Sequence, residues 1–252
     1  MTVDYTIEGP ARAPVVVLAN SLGATSSMWN SQLEPLTQHY RVVRYDARGH
    51  GNSPAPPGPY TIDDLTDDVV AILDVLELER VHFVGLSLGG MTGLRLAARH
   101  PERVDRLAVL CTSALLGPAS MWTERAELVR AKGPATIADA AVSRWYTRAF
   151  REQHPDAVAA AVAMVASTSA EAYASCCDAI ATMDLTEDLP KITAPTLAIA
   201  GADDRATPPE HLHAITTAIP TARLVVVPNA AHLAAVEQPR LITLAILHHL
   251  TR

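Results

Sequence analysis

The segment Gly85-Leu86-Ser87-Leu88-Gly89-Gly90 follows a short apolar run, Val81-His-Phe-Val-Gly85, and leads into a helical pattern from Met91 to Arg99. A strand, a tight turn and a helix therefore meet at one serine. Such a turn is crowded, so the residues two positions either side of the serine must be small, and both are glycine. The turn lifts the Ser87 hydroxyl above the carboxyl edge of a sheet, and the helix N-terminus behind it favours negative charge on a bound oxygen. Ser87 is the candidate nucleophile. On this motif alone, a glycine-rich junction that binds phosphate or simply packs closely stays open.

Outward from that point, short β-branched runs alternate with helical patterns. Val3–Ile7 reads as an antiparallel edge strand. Pro14–Ala19, Tyr40–Tyr45, Val81–Gly85, Arg106–Cys111, Pro195–Ala200 and Arg223–Val227 read as buried strands. Ile62, Leu65, Val69, Ile72, Leu73 and Leu76 recur at helical spacing, with Thr61 as N-cap and Asp64 completing a capping box. Further helices are expected over Pro209–Ile219 and Pro239–Leu250. This alternation predicts an α/β fold, a mostly parallel sheet with helices on both faces. From Gly117 to Pro190 no strand-like run occurs. That stretch is Ala-rich, punctuated at Gly133-Pro134 and His154-Pro155, and reads as a helical cap insertion. The expected organisation is a core of residues 1–116 and 191–252 carrying a cap of residues 117–190.

The chain's 252 residues, 49% hydrophobic and 19% charged, suffice for a full core without disulfides and exclude a disordered chain. A formal charge of −7 leaves no basic excess for nucleic acid. Three cysteines, two of them adjacent (Cys176 and Cys177), form no disulfide framework and suit a reducing compartment. No apolar stretch approaches the roughly 20 residues that span a bilayer, and the start has no basic n-region. A cytoplasmic protein without membrane association is expected. Oligomeric state is left open.

A serine needs a base, and the base an orienting carboxylate. Of ten histidines, His82 lies in a strand, His100 and His248-His249 end helices, and His211 and His213 face apart on one helix. His232 instead follows the last strand, in Pro228-Asn-Ala-Ala-His-Leu233, where parallel sheets bind ligands. Gly201-Ala-Asp-Asp-Arg205 follows the preceding strand and offers Asp204, with Asp203 as a turn residue or N-cap. The resulting order is Ser87, Asp204, His232. An oxyanion needs donors: the N–H of Leu88, directly after the nucleophile, and that of Leu22 in the loop Asn20-Ser-Leu-Gly23. Asp46-Ala-Arg-Gly-His-Gly-Asn-Ser53 reads as a structural turn with an Asp46–Arg48 ion pair.

At these residues the chain resembles the α/β-hydrolase superfamily and, more narrowly, the 3-oxoadipate enol-lactonases of bacterial aromatic degradation. The resemblance is carried by Leu18-Ala-Asn-Ser-Leu-Gly23 with Met28-Trp29, by Arg44–Gly51 with Gly58–Thr61, by Arg144-Trp-Tyr-Thr147, and by Tyr173–Ile180 with Met183-Asp-Leu185. It implies an eight-stranded type of sheet, the triad Ser87, Asp204 and His232, and neither metal nor organic cofactor. The implied substrate is a small lactone bearing a carboxylate chain. Arg144, or Arg125 beside Trp122, would hold that carboxylate, since an arginine fork suits it. Trp122 and Trp145 would wall the pocket. The alternative for each arginine is a solvent-facing helix position. Two other functions stay open: a carboxylesterase or lactonase for another small ester, and a receptor that keeps the triad but signals.

Overall fold

The computed structural model describes residues 3–251. Seven strands form one sheet: β1 (Tyr5–Glu8), β2 (Val15–Ala19), β3 (Arg41–Tyr45), β4 (Val81–Leu86), β5 (Val104–Leu110), β6 (Thr196–Gly201) and β7 (Ala222–Val227). Their order is β1-β3-β2-β4-β5-β6-β7, with β1 antiparallel to β3 and every other pair parallel. Every residue of β4 and β6 is buried, as a parallel strand covered on both faces requires, whereas edge strand β1 alternates. Among the described residues the sheet has one strand fewer than the resemblance implies. Each of the seven corresponds to an apolar run, and the connection from β1 to β2 carries Pro10 and Pro14, which do not continue a ladder.

The helices are α1 (Asn30–Thr37), α2 (Ile62–Val75), α3 (Leu88–Arg99), α4 (Ala119–Lys132), α5 (Ala135–Val142), α6 (Arg148–Gln153), α7 (Pro155–Ala166), α8 (Ala170–Thr182), α9 (Pro209–Ala218), α10 (Ala234–Glu237) and α11 (Pro239–Leu250). Helices α3 and α11 both pack on β5 yet make no extended contact with each other, so they lie on opposite faces. With α3 goes α2, and with α11 goes α1. The Thr61 capping box is present: the Asp64 N–H donates to Thr61 Oγ1 (3.2 Å) and the Thr61 N–H to Asp64 Oδ2 (2.8 Å). Helix α3 starts at Leu88, three residues before the pattern suggested, because the turn at Ser87 feeds directly into its first turn.

Helices α4 to α8 all lie between β5 and β6, and their most extensive contacts are α4 on α8 and α5 on α7. Gly133, at a φ of +79°, ends α4, and Pro155 opens α7. Among the described residues no single helix is long and apolar enough to cross a membrane, and the α7–α8 pair that approaches the length is bent by 91°.

Candidate active site

Because β2 to β7 run parallel, the segments following them gather at one edge of the sheet. These are Asn20–Gly23 after β2, Asp46–His50 after β3, Ser87 after β4, Thr112-Ser113 after β5, Asp204 after β6 and His232 after β7. Carboxyl ends of strands are where such sheets bind ligands.

Ser87 sits at φ 57°, ψ −116°, outside the regions an L-residue normally occupies. Three bonds hold it there. Its N–H donates to the Leu110 carbonyl (2.9 Å), and its carbonyl accepts from the Thr112 hydroxyl (2.7 Å) and the Met91 N–H (2.9 Å). The flanking glycines are obligatory. A Cβ on Gly85 would lie 2.1 Å from the Gly89 carbonyl oxygen, and one on Gly89 would lie 2.5 Å from the Ala19 carbonyl. Cys111 (φ 45°) and Asn229 (φ 53°) are also strained non-glycine residues, and both flank this edge. Strain of this kind concentrates at functional sites.

His232 Nδ1 lies 2.9 Å from Asp204 Oδ2, and both residues are buried. The carboxylate is otherwise saturated. Oδ1 accepts the N–H groups of Ala206 (2.8 Å) and Thr207 (3.1 Å), and Oδ2 accepts the Thr207 hydroxyl (2.8 Å). Burial alone would raise the Asp204 carboxyl, but the His232 charge and these bonds outweigh it and hold it below the ordinary carboxylate range. A carboxylate followed two and three residues later by N–H donors is an Asx-type turn, so the role of Thr207 was readable in the local sequence.

Ser87 and His232 line one cavity of about 140 Å³, together with Ser21, Leu22, Trp122, Arg125, Arg144, Trp145 and Tyr173. The candidate wall residues Trp122, Arg144 and Trp145 are thus gathered there, and so is Arg125. Leu88 does not line the cavity. It opens α3, where first-turn N–H groups have no intrahelical acceptor. Among the described residues nothing accepts the Leu22 N–H. The Trp122 indole Nε1 is also buried without a partner. Neither Arg125 nor Arg144 is free in solvent or paired with a carboxylate among the described residues. The Arg125 guanidinium lies 4.6 Å above the Trp122 ring, and burial followed by the charge of Arg125 lowers the Arg144 guanidinium from its ordinary value. Tyr173, buried on α8, was not singled out by its own pattern, because a buried tyrosine on an Ala-rich helix reads as core.

The expected Asp46–Arg48 pair does not form. Arg48 reaches α2 and binds Asp68 in bidentate fashion (2.7 and 2.8 Å). Asp46 turns instead to the loop after β2, accepting from Asn20 Nδ2 (3.2 Å) and the Ser26 N–H (2.6 Å). His50 joins the same loop: its Nε2 accepts the Gly23 N–H (2.9 Å). Among the described residues no cluster of three metal-ligating side chains occurs.

The sequence profile described as the alpha/beta hydrolase fold matches residues 14–135 and 123–239. A 3-oxoadipate enol-lactonase of Acinetobacter baylyi is 41% identical over 240 residues, covering 95% of this chain and 90% of that protein. The crystal structure of the enol-lactonase from Burkholderia xenovorans LB400 superposes with a TM-score of 0.97 at 41% identity, covering 99% of this chain and 96% of that one. A thermophilic esterase from Thermogutta terrifontis, solved with malate bound, gives a TM-score of 0.93 at 30% identity, covering 99% and 93%. With its elbow serine, parallel sheet and profile match in one frame, this chain belongs to the α/β-hydrolase fold family.

Proposed function

We propose that this hydrolase opens 3-oxoadipate enol-lactone to 3-oxoadipate, within bacterial aromatic degradation, through Ser87, His232 and Asp204. Residues 117–190 act as the cap that closes the substrate cavity. His232 takes the Ser87 proton as Oγ attacks the lactone carbonyl, and Asp204 fixes the imidazole tautomer and stabilises the imidazolium. The N–H groups of Leu88 and Leu22 receive the oxyanion, each donor worth roughly 2.7–4 kcal/mol in the transition state. The ring C–O bond then breaks, and the leaving enol takes the proton from His232 and becomes the ketone. Water, deprotonated by His232, cleaves the acyl-enzyme and frees Ser87.

The observation that carries this reading is the cavity's composition. It pairs a strained serine and a carboxylate-bound histidine with two arginines that lack carboxylate partners. Its size agrees, since an apolar cavity of about 150 Å³ takes a benzene-sized molecule, and one small ring is what this substrate presents. Arg144 and Arg125 bind the substrate carboxylate, and Trp122 and Trp145 wall the ring. Both enol-lactonase relatives point the same way. No cofactor enters these steps, and a cytoplasmic location suits a soluble dicarboxylate product.

The test is steady-state hydrolysis of 3-oxoadipate enol-lactone, followed by loss of ultraviolet absorbance, beside p-nitrophenyl acetate. A kcat/KM above about 10⁴ M⁻¹s⁻¹ on the lactone, far exceeding the acetate, is expected of an enzyme on its own substrate. Brisk acetate cleavage with poor lactone turnover favours the second reading, a carboxylesterase for another small ester, which the likeness to the thermophilic esterase supports. Ser87→Ala with undiminished turnover overturns both.

A further inference from the structure

Strand β5 lies between β4, which carries the nucleophile, and β6, which carries the acid. The segment Leu110-Cys111-Thr112 at its end bonds in both directions. Towards the elbow, the Leu110 carbonyl accepts the Ser87 N–H (2.9 Å) and the Thr112 hydroxyl donates to the Ser87 carbonyl (2.7 Å). Away from it, the Cys111 N–H donates to the Ile199 carbonyl of β6 (2.9 Å). Cys111 Sγ donates to the carbonyl of Ala231, the residue before His232 (3.7 Å). Burial, followed by the charge of Asp204, pushes the Cys111 thiol well up, so it stays protonated and able to donate. Cys111 holds φ 45°, left-handed backbone that favours glycine, yet the residue here carries a side chain. Consecutive side chains thereby reach different loops: that of Cys111 the histidine loop, that of Thr112 the elbow. Room for Thr112 depends on a missing side chain, because a Cβ on Gly90 in the first turn of α3 would lie 2.7 Å from Thr112 Cβ. Cys111 and Thr112 are both fully buried, and neither lines the active-site cavity.

We propose that Cys111 and Thr112 are positioning residues, which set the spacing between the Ser87 hydroxyl and the His232 imidazole by tying the carbonyls of Ser87 and Ala231 to one short segment. This role rests on Ser87 and His232 acting as nucleophile and base, but not on which ester or lactone is cleaved. A base activates a nucleophile only within hydrogen-bond reach. A misplacement of about 1 Å, caused by a change outside the reacting groups, can cost about 10²-fold in rate. Cys111 and Thr112 act through other residues and meet no substrate, so their loss falls on kcat and leaves KM.

The experiment measures kcat and KM on p-nitrophenyl acetate, with melting temperature, for wild type, Cys111→Ala, Thr112→Val and the variant carrying both changes. Cys111→Ser and Thr112→Ser, which keep a donor, and Ser87→Ala are measured beside them. Each of Cys111→Ala and Thr112→Val is expected to lose roughly 10- to 100-fold in kcat with KM held within about twofold. The two serine variants should recover most of that loss. Because both residues act on one spacing, the double variant should lose less than the product of the single losses. Cys111→Gly and Thr112→Ala remove the same donors without added bulk and are read in the same way if either single variant fails to fold. Unchanged kcat in the folded variants, serine variants as slow as the variants without a donor, or single losses that multiply, each overturn the proposal. Ser87→Ala with undiminished turnover overturns the nucleophile assignment itself. An inactive Ser87→Ala beside undiminished Cys111→Ala and Thr112→Val overturns the positioning role alone.

Discussion

Asp204 is committed on every side: one oxygen to two backbone N–H groups, the other to Thr207 and His232. Asp204→Asn keeps the volume but places an amide against His232 Nδ1, which favours the wrong imidazole tautomer. A fall in kcat of about 10⁴ with little change in KM is expected, by analogy with the same change in a serine protease triad. His50 offers a second residue-scale test. Because its Nε2 accepts the Gly23 N–H, its Nδ1 carries the hydrogen and donates to the Arg48 carbonyl (3.1 Å). The ring therefore pins the loop that carries Leu22. His50→Leu leaves the Gly23 N–H buried and unpaired, at a cost of about 1–3 kcal/mol in stability, and lowers kcat more than it raises KM. His50→Gln, which retains an acceptor, should recover part of both in thermal melts and steady-state kinetics. The gathering of Ser87, Asp204 and His232 at one edge of the sheet was legible because each follows a strand, in the order Ser, Asp, His. The role of His50 was not. Its partner is 27 residues away, and a local pattern carries no trace of a bond across two strand ends.

Glu237, at the end of α10, joins two elements that the active site must hold together. Its Oε1 accepts the N–H (2.8 Å) and hydroxyl (2.7 Å) of Thr147, and its Oε2 accepts the Ala231 N–H next to His232. The Leu233 N–H donates to the Trp145 carbonyl (2.9 Å), completing the bridge between residues 145–147 and the loop after β7. Glu237→Ala strips acceptors from three donors at once. It should lower stability by about 1–3 kcal/mol for the unpaired groups and raise KM, because Arg144 and Trp145 lose their fixed position. Melting temperature and KM measured together check this. A fall in melting temperature with unchanged KM shows that the bridge stabilises the fold without aligning the site. At this scale the strands were readable because a parallel sheet buries whole β-branched runs, and Thr61 with Asp64 marked the start of α2 from four residues. The pairing of the helices between β5 and β6 was not readable. Helices α4 and α8 are joined by Arg130, which binds Glu171, Ser175 and Asp178 some 40 residues on, and an Ala-rich segment has no periodicity sharp enough to choose its neighbours.

The fold as a whole buries three imidazoles that favour the neutral form. His50, His82 and His249 are each pushed below the ordinary histidine value, chiefly by burial, and His249 falls to about 4 with the charges of Arg223 and Arg106 adding to the effect. In the unfolded chain a histidine protonates near about 6.5. Above that pH neither state binds the proton and the stability is fully present. As pH falls from about 6.5 towards 4, the unfolded chain takes up protons that the folded chain refuses, so stability declines through this window. Asp204 acts in a more acid range: its folded value lies below the ordinary carboxylate value, so its contribution is present above about 3.9 and is lost as pH falls through the folded value. Urea unfolding at intervals from pH 7.5 to 4 should therefore show a midpoint that holds down to about pH 7 and then drops steadily. His249→Gln isolates one member of the set. Its amide can replace the bond that His249 Nε2 makes to the Leu107 carbonyl (3.0 Å), where α11 packs on β5, while removing the titration. The variant should keep near wild-type stability at pH 7.5 and lose less than wild type by pH 4. If both lose stability in parallel, His249 does not feed the acid transition, and the slope belongs to His50 and His82, which lie at the loop after β3 and in β4.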